Sequence, residues 1–265
     1  MLRDITLGQY YPGNSVIHRM DPRFKIVATL VYIVGLFLVN QFIGFIFPLV
    51  CLVLAIAVSR VPLSFILRGM KPVIIILVCT FVVNIFMIDG GEVLVDFGFT
   101  DITSQGLKSA VFLASRLIML IVVSSLLTYT TKPVMLTDGL ESLLKPLKIV
   151  GLPAHELAMM MSIALRFIPT LLEETDKIMK AQMARGADFE TGSLMNRLRG
   201  LVPILIPLFI SALRRAEDLA MAMEARCYKG GEGRTRLHTL KFSGRDWVGT
   251  VIMVAMMVGI VITMN

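Results

Sequence analysis

From Ile26 to Val58 the chain runs for 33 residues without a single Asp, Glu, Lys or Arg. As one helix this stretch would measure about 50 Å, against a bilayer hydrocarbon core of about 30 Å. Asn40-Gln41 and the nearby Gly44 interrupt the run where a turn is needed. The stretch therefore reads as a hairpin of two short spanning helices, about 24–39 and about 43–59. Each is shorter than the usual span, which predicts local thinning of the bilayer or protein contacts on one side.

Composition supports a membrane protein: 56% of residues are apolar and the mean hydropathy is +0.78, whereas soluble domains usually hold about 45–50% apolar residues. The first 23 residues mix charge, Gly, Pro and Tyr, so no cleavable signal peptide is expected. Cys51, Cys79 and Cys227 are scattered and form no disulfide framework or metal cluster. The net charge of +7 is not arranged as a basic stripe interleaved with aromatics, which excludes nucleic acid as the natural partner. The positive residues flank apolar segments, as membrane topology requires.

Three further spans follow, Pro72 to Ile88, Gly106 to Thr131 and Trp247 to Met264. Arg60, Arg68 and Lys71 make the connection before the third span basic, while Asp89, Glu92, Asp96 and Asp101 make the next connection acidic. One topology satisfies these charges: N-terminus and residues 132–246 in the cytoplasm, C-terminus outside. The expected fold is an all-α integral membrane protein with about five transmembrane helices and a cytoplasmic region of long, bent amphipathic helices. Its parts are residues 1–131 with four spans, 132–246, and 247–265 with the last span.

Region 132–246 is unlike a soluble domain. Leu157–Leu165 and Leu201–Leu213 are apolar nearly all round yet too short to span, and charged amphipathic turns follow each. Pro169, Pro203 and Pro207 interrupt the apolar parts and predict kinks. Each pattern then ends in a matching motif, Ala184-Arg185-Gly186 in one and Ala225-Arg226-Cys227 in the other. Ile178, Ala181 and Arg185 share a helix face by their spacing, as do Leu219, Ala222 and Arg226. Each helix thus offers a fixed cation at its last turn beside small alanines.

Taken with His18-Arg19-Met20-Asp21-Pro22-Arg23, the run Ser162–Leu171, Ala184–Phe189 and Met223-Glu224-Ala225-Arg226, the chain resembles the transmembrane (T) component of energy-coupling factor (ECF) transporters. These are importers of vitamins and micronutrients related to ABC transporters, and the likeness covers essentially the whole chain. It implies a non-catalytic coupling subunit in the cell membrane. Two ABC-type ATPase subunits would dock at Ala184, Arg185, Gly186, Ala225, Arg226 and Cys227. A small substrate-binding membrane protein, the S component, would face Met159, Met160, Pro169, Pro203 and Pro207, and several S components could share the surface. ATP and magnesium would belong to the partner ATPases, so no cofactor is expected here. Arginine suits such a dock because its guanidinium stays charged and bonds carboxylates or helix-end carbonyls in a fork.

Plainer readings stand beside these. One arginine near a helix C-terminus is favoured by the macrodipole alone, but two in repeated context ask for more. Arg116, about a third of the way into the fourth span, is expected to snorkel or to pair with a carboxylate such as Asp96 or Asp101. His155-Glu156 begins like a zinc-protease helix but carries Met159 at the second ligand position, so no metal is expected. Glu173, Glu174 and Asp176 read as a solvated face. Asp21-Pro22 reads as a helix cap. No phosphate-binding P-loop is present. The alternative function is a conventional ABC permease with its own substrate pathway, against which the spans hold few polar groups. A lipid-modifying enzyme would need a convergent catalytic set, and none can be read.

Overall fold

The computed structural model describes residues 10–88, 90, 92–96, 101–151, 153–187, 194–230 and 240–264. Eight α-helices account for nearly all of them: α1 Pro22–Leu38, α2 Ile46–Ser59, α3 Leu63–Met87, α4 Ser104–Thr130, α5 Pro133–Leu144, α6 Ala154–Ala184, α7 Leu194–Ala225 and α8 Gly244–Met264. The fold is all-α apart from a small antiparallel hairpin between α3 and α4. There β1, Val93–Asp96, pairs with β2, Asp101–Thr103. Among the described residues, five segments are long and apolar enough to cross a membrane: Phe42–Ser59, Leu63–Met87, Ser104–Thr130, Ala154–Ala184 and Gly244–Thr263.

That set differs from the sequence reading in instructive ways. α1 has 17 residues, about 26 Å of rise, a little short of the hydrocarbon core. α3 starts at Leu63 rather than Pro72, so Arg68 and Lys71 ride on the helix and the connection shrinks to Arg60–Pro62. Pro62, with φ −64°, is preset for a helix entry. The apolar part of α6, read as too short to span, belongs to a helix of 31 residues that is long and apolar enough to do so. α6 runs on through Pro169 and α7 through Pro203 and Pro207, as long helices with internal prolines were expected to. α5 is an element that the sequence reading had not separated.

The chain divides into two compact units, one drawn from Leu143–Thr239 and the other from Gly8–Ser142 with Leu240–Asn265. In the second, which we call the membrane unit, α1 and α2 form the expected hairpin, with a 3₁₀ turn at Phe42–Phe45 between them. Tyr32 and Leu36 of α1 with its C-cap Val39, Met119, Val122, Leu126 and Tyr129 of α4, and Met256 and Ile260 of α8 share one core. The α4 positions repeat at three and four residues, so one stripe of that helix is buried. The outward faces stay apolar: Ile75 is 76% exposed, and Phe37, Val53 and Val251 are exposed as well. That inversion is what a lipid solvent allows.

Close approach inside this unit depends on glycines of α8. A Cβ built on Gly259 would stand 2.4 Å from the Phe47 ring of α2, and one on Gly249 would stand 2.5 Å from the ring of Phe24 on α1. Small residues at such crossings let backbones pack where no hydrophobic force drives association. Gly259→Ala should destabilise the chain by about 1–3 kcal/mol, read as a lower thermal midpoint in detergent. Adding Phe47→Leu should restore part of the loss, and an unchanged midpoint for Gly259→Ala alone would refute the contact.

Candidate docking termini and a buried polar node

The other unit, drawn from Leu143–Thr239, is built on the pair α6 and α7. Glu174 of α6 holds it together from the middle: Ser211 Oγ donates to one carboxylate oxygen at 2.5 Å and Arg215 Nη2 to the other at 2.9 Å. Near one end the Tyr228 hydroxyl meets His155 Nε2 at 3.4 Å. Late residues of α7 therefore lie against early residues of α6, and the helices are antiparallel. Glu174 is thus not part of a freely solvated face, as the sequence suggested. It is an anchor whose partners came from a helix 37 and 41 residues away. Glu173 and Lys177 are exposed.

Both arginine motifs end their helices in the same geometry. On α6, Gly186 N–H donates to Met183 O and Ala187 N–H to Gln182 O. On α7, Cys227 N–H donates to Glu224 O and Tyr228 N–H to Met223 O. These are two Schellman closures, each with its arginine at the C-cap. The residue after each arginine is left-handed, with φ +89° at Gly186 and +56° at Cys227. The structure shows that a left-handed backbone is wanted, which glycine meets freely and cysteine at a cost.

Ala184, Arg185, Gly186, Ala225, Arg226 and Cys227 are all exposed. Neither guanidinium has a hydrogen bond or ion pair among the described residues. Because the helices are antiparallel, the motifs lie at opposite ends of the pair, on the order of 40 Å apart for helices of this length. The other expected contact residues lie between them. Met160, Pro169, Pro203 and Pro207 are exposed and Met159 is half-buried. Val202, Leu205, Ile206, Phe209 and Leu213 add an exposed apolar stripe on α7. Asp188, Phe189 and Gly231 lie outside the described residues.

The membrane unit holds a second arrangement, at the His18–Arg23 motif. Asp21 caps α1 by accepting from Arg23 N–H at 2.8 Å, with Pro22 in the first turn, as the sequence implied. The remainder was not foreseen. Asp246, 1% exposed, accepts from Ser243 N–H at 2.8 Å with one oxygen and from Asp21 N–H at 2.9 Å with the other. Ser243 Oγ in turn accepts from Arg245 N–H. This is a variant of the capping box, with the Ser243 hydroxyl serving the second N–H of the helix and aspartate at the fourth position, and Ser243-x-x-Asp246 was its signal in the sequence. Buried Lys25 donates to the Thr130 carbonyl at 3.0 Å and to Thr131 Oγ1 at 3.1 Å, at the junction of α4 and α5. Gly139 places α5 against Pro22 and Ile26 of α1.

Arg116 resolves differently from the expected carboxylate pair. Its Nη2 donates to the Val39 carbonyl at 2.6 Å, at the C-cap of α1, and the guanidinium lies over the Phe37 and Phe112 rings. A cation there satisfies an orphan carbonyl and the helix dipole together. The side chains of Asp96 and Asp101 lie outside the described residues. Among the described residues no cluster of three or more His, Cys, Asp or Glu is placed to hold a metal.

With this geometry in view, the comparisons with known proteins are decisive. A family model described as CbiQ, cobalt transport protein, matches residues 13–237. The energy-coupling factor transporter transmembrane protein EcfT of Thermosediminibacter oceani is 60% identical over 245 residues, covering 92% of each chain. That of Clostridium kluyveri is 56% identical over 252 residues, covering 95% of this chain and 93% of its own. The Bacillus subtilis protein of the same name is 47% identical over 246 residues, 93% of each. The chain belongs to the EcfT family. It is thus the transmembrane component of an ECF transporter, a membrane protein and a non-catalytic subunit.

Two stability experiments test this geometry. Cys227→Gly should stabilise the chain by about 1 kcal/mol, whereas the β-branched Cys227→Val should cost about 1–2 kcal/mol; equal thermal midpoints for the two variants would contradict the left-handed cap. His18 gives a pH signature. Its Nε2 donates to the Tyr11 carbonyl at 3.1 Å while the Ser15 hydroxyl bonds Nδ1 at 2.6 Å, the pattern of a neutral ring. Burial lowers its pKa below the ordinary 6.5, outweighing the Tyr11 bond that raises it, and the charge of Lys25 lowers it further. Its contribution to stability is therefore complete above pH 6.5 and is lost as pH falls from there. The fall in midpoint between pH 7.5 and 5.5 should be smaller in His18→Gln than in the parent chain.

Proposed function

We propose that this chain couples ATP hydrolysis by two ABC-type ATPase subunits to movement of a separate substrate-binding membrane protein, for import of a vitamin or micronutrient. The observation that supports this best is the pair of matching helix ends. Two arginines, each held at a C-cap by a Schellman closure and each without a partner among the described residues, project from opposite ends of an antiparallel pair. Two separated and equivalent cations suit two equivalent receivers better than one.

In this reading Arg185 and Arg226 seat in grooves of the two ATPases, with Ala184 and Ala225 permitting close approach. Gly186 and Cys227 fix the direction in which each arginine leaves its helix. The Glu174 anchor makes α6 and α7 a stiff lever, so displacement at one end is transmitted rather than absorbed. The apolar surface made by exposed Met160, Pro169, Pro203, Pro207 and the α7 stripe, with half-buried Met159, receives the S component. Met160 and Met161 add polarizable, adaptable side chains suited to more than one partner. The segment with the motifs faces the cytoplasm, as does the N-terminus, and the C-terminus lies outside, following the basic ends of the spans. The sequence division into 1–131, 132–246 and 247–265 then separates membrane anchoring from coupling.

The test is Arg185→Glu with Arg226→Glu in the assembled transporter. Charge reversal at a closely packed contact costs several kcal/mol, so the ATPases should bind on the order of a hundred-fold more weakly. ATP-driven uptake should fall to background while membrane insertion stays normal. Parental uptake by the double variant would overturn the proposal. ATPases retained in the purified variant complex would show that docking lies elsewhere.

A further inference from the structure

Between α1, α2, α4 and α8 the membrane unit contains a cavity of about 190 Å³. Its wall is almost wholly apolar, with Ala28 and Tyr32 of α1, Cys51 and Ala55 of α2, Leu127 of α4 and Met253 of α8. Leu54, Val58 and Ile252 also line it and are themselves exposed, so it opens sideways between α2 and α8. Lys25 and Thr130 mark its polar end. From Lys25 to Tyr32 it runs about 10 Å along α1.

We propose that this crevice holds one acyl chain of an anionic phospholipid, whose phosphate is received by Arg60 and Arg245. The shape excludes bulkier occupants. A helix with side chains is about 10 Å across, too wide for a slot of this volume, yet the slot exceeds the ~150 Å³ cavity that accepts a small apolar ligand. Apolar cavities do not fill with water, and this one faces the hydrocarbon, where acyl chains are the abundant slender ligand.

The charge around it supplies the headgroup preference. α1 and α8 begin at the polar end of the crevice, and α2 ends there. Arg60 follows Val58 by two residues and is exposed at the α2 C-cap; Arg245 stands one turn before Gly249 on the same face of α8 and is also exposed. Arg23, at the start of α1, keeps a buried Nε without a partner. The acidic groups of α1 and α8 there, Asp21 and Asp246, are buried and committed to backbone N–H groups. The accessible charge on α1, α2 and α8 at this end is therefore positive, which favours phosphatidylglycerol over zwitterionic lipid.

The chain supplies its own reporter, since Trp247 is the only tryptophan and stands two residues from Gly249. Lipids brominated on their acyl chains would be titrated into the full chain in detergent and Trp247 fluorescence followed. Brominated phosphatidylglycerol should quench saturably, at concentrations roughly ten-fold lower than brominated phosphatidylcholine. Ala28→Leu with Ala55→Leu, which fills the crevice, should abolish the saturable phase. Arg60→Gln with Arg245→Gln alters only exposed side chains and should make the two lipids equivalent. Equal quenching by both lipids of the parent chain would overturn the proposal. So would a crevice-filling variant that folds and still binds like the parent, or an undiminished preference for phosphatidylglycerol after the arginines are removed.

Discussion

Inside a bilayer a helix end has no water to turn to, so its free N–H and C=O groups must find partners within the chain. That constraint explains where the membrane unit keeps its charges. Asp246 serves the N–H groups of Asp21 and Ser243, Lys25 serves the carbonyl at the end of α4, and Arg116 serves the carbonyl at the end of α1. A charge in an apolar span is often a sign of a transport pathway. Here each of the three is committed to the main chain, and the unit gains fixed helix ends.

The consequence is a bundle whose basic end is tied together across long sequence distances. The bond from Asp21 to Asp246 joins residues 225 apart, and the bond from Lys25 to Thr130 joins residues 105 apart. Close packing at Gly249 and Gly259 of α8 completes the arrangement. The α6–α7 pair follows a different logic, with one bidentate carboxylate between two amphipathic helices and cations at the ends that have no partner among the described residues. Unpaired, exposed and conformationally fixed are the properties that a contact awaiting a partner requires, because little ordering is left to be done on binding.

Cys227 shows how function and stability separate at such a contact. Glycine would satisfy the left-handed cap on α7 at no steric cost, as Gly186 does on α6. Cysteine keeps the closure and adds a thiol beside Arg226 on an exposed surface. The two ends are thus alike in backbone and unlike in side chain. Under the coupling role proposed for this family member, they offer related but distinguishable surfaces to the two receivers.

The sequence by itself determined the class, the hairpin at α1 and α2, the cap at Asp21 and the pairing of the arginine motifs. These rest on local properties: charge-free length, turn residues, and spacing along one helix. The boundary placed at Pro72 was misread, since that proline stands inside α3, whereas the helices expected to run through Pro169, Pro203 and Pro207 do so. Tertiary structure alone decided that Glu174 is an anchor, that Arg116 caps α1, that Asp246 is buried and that the arginine motifs lie at opposite ends of one pair. Each of those joins segments far apart in the chain, and the partner of a polar group cannot be read from the few residues on either side of it.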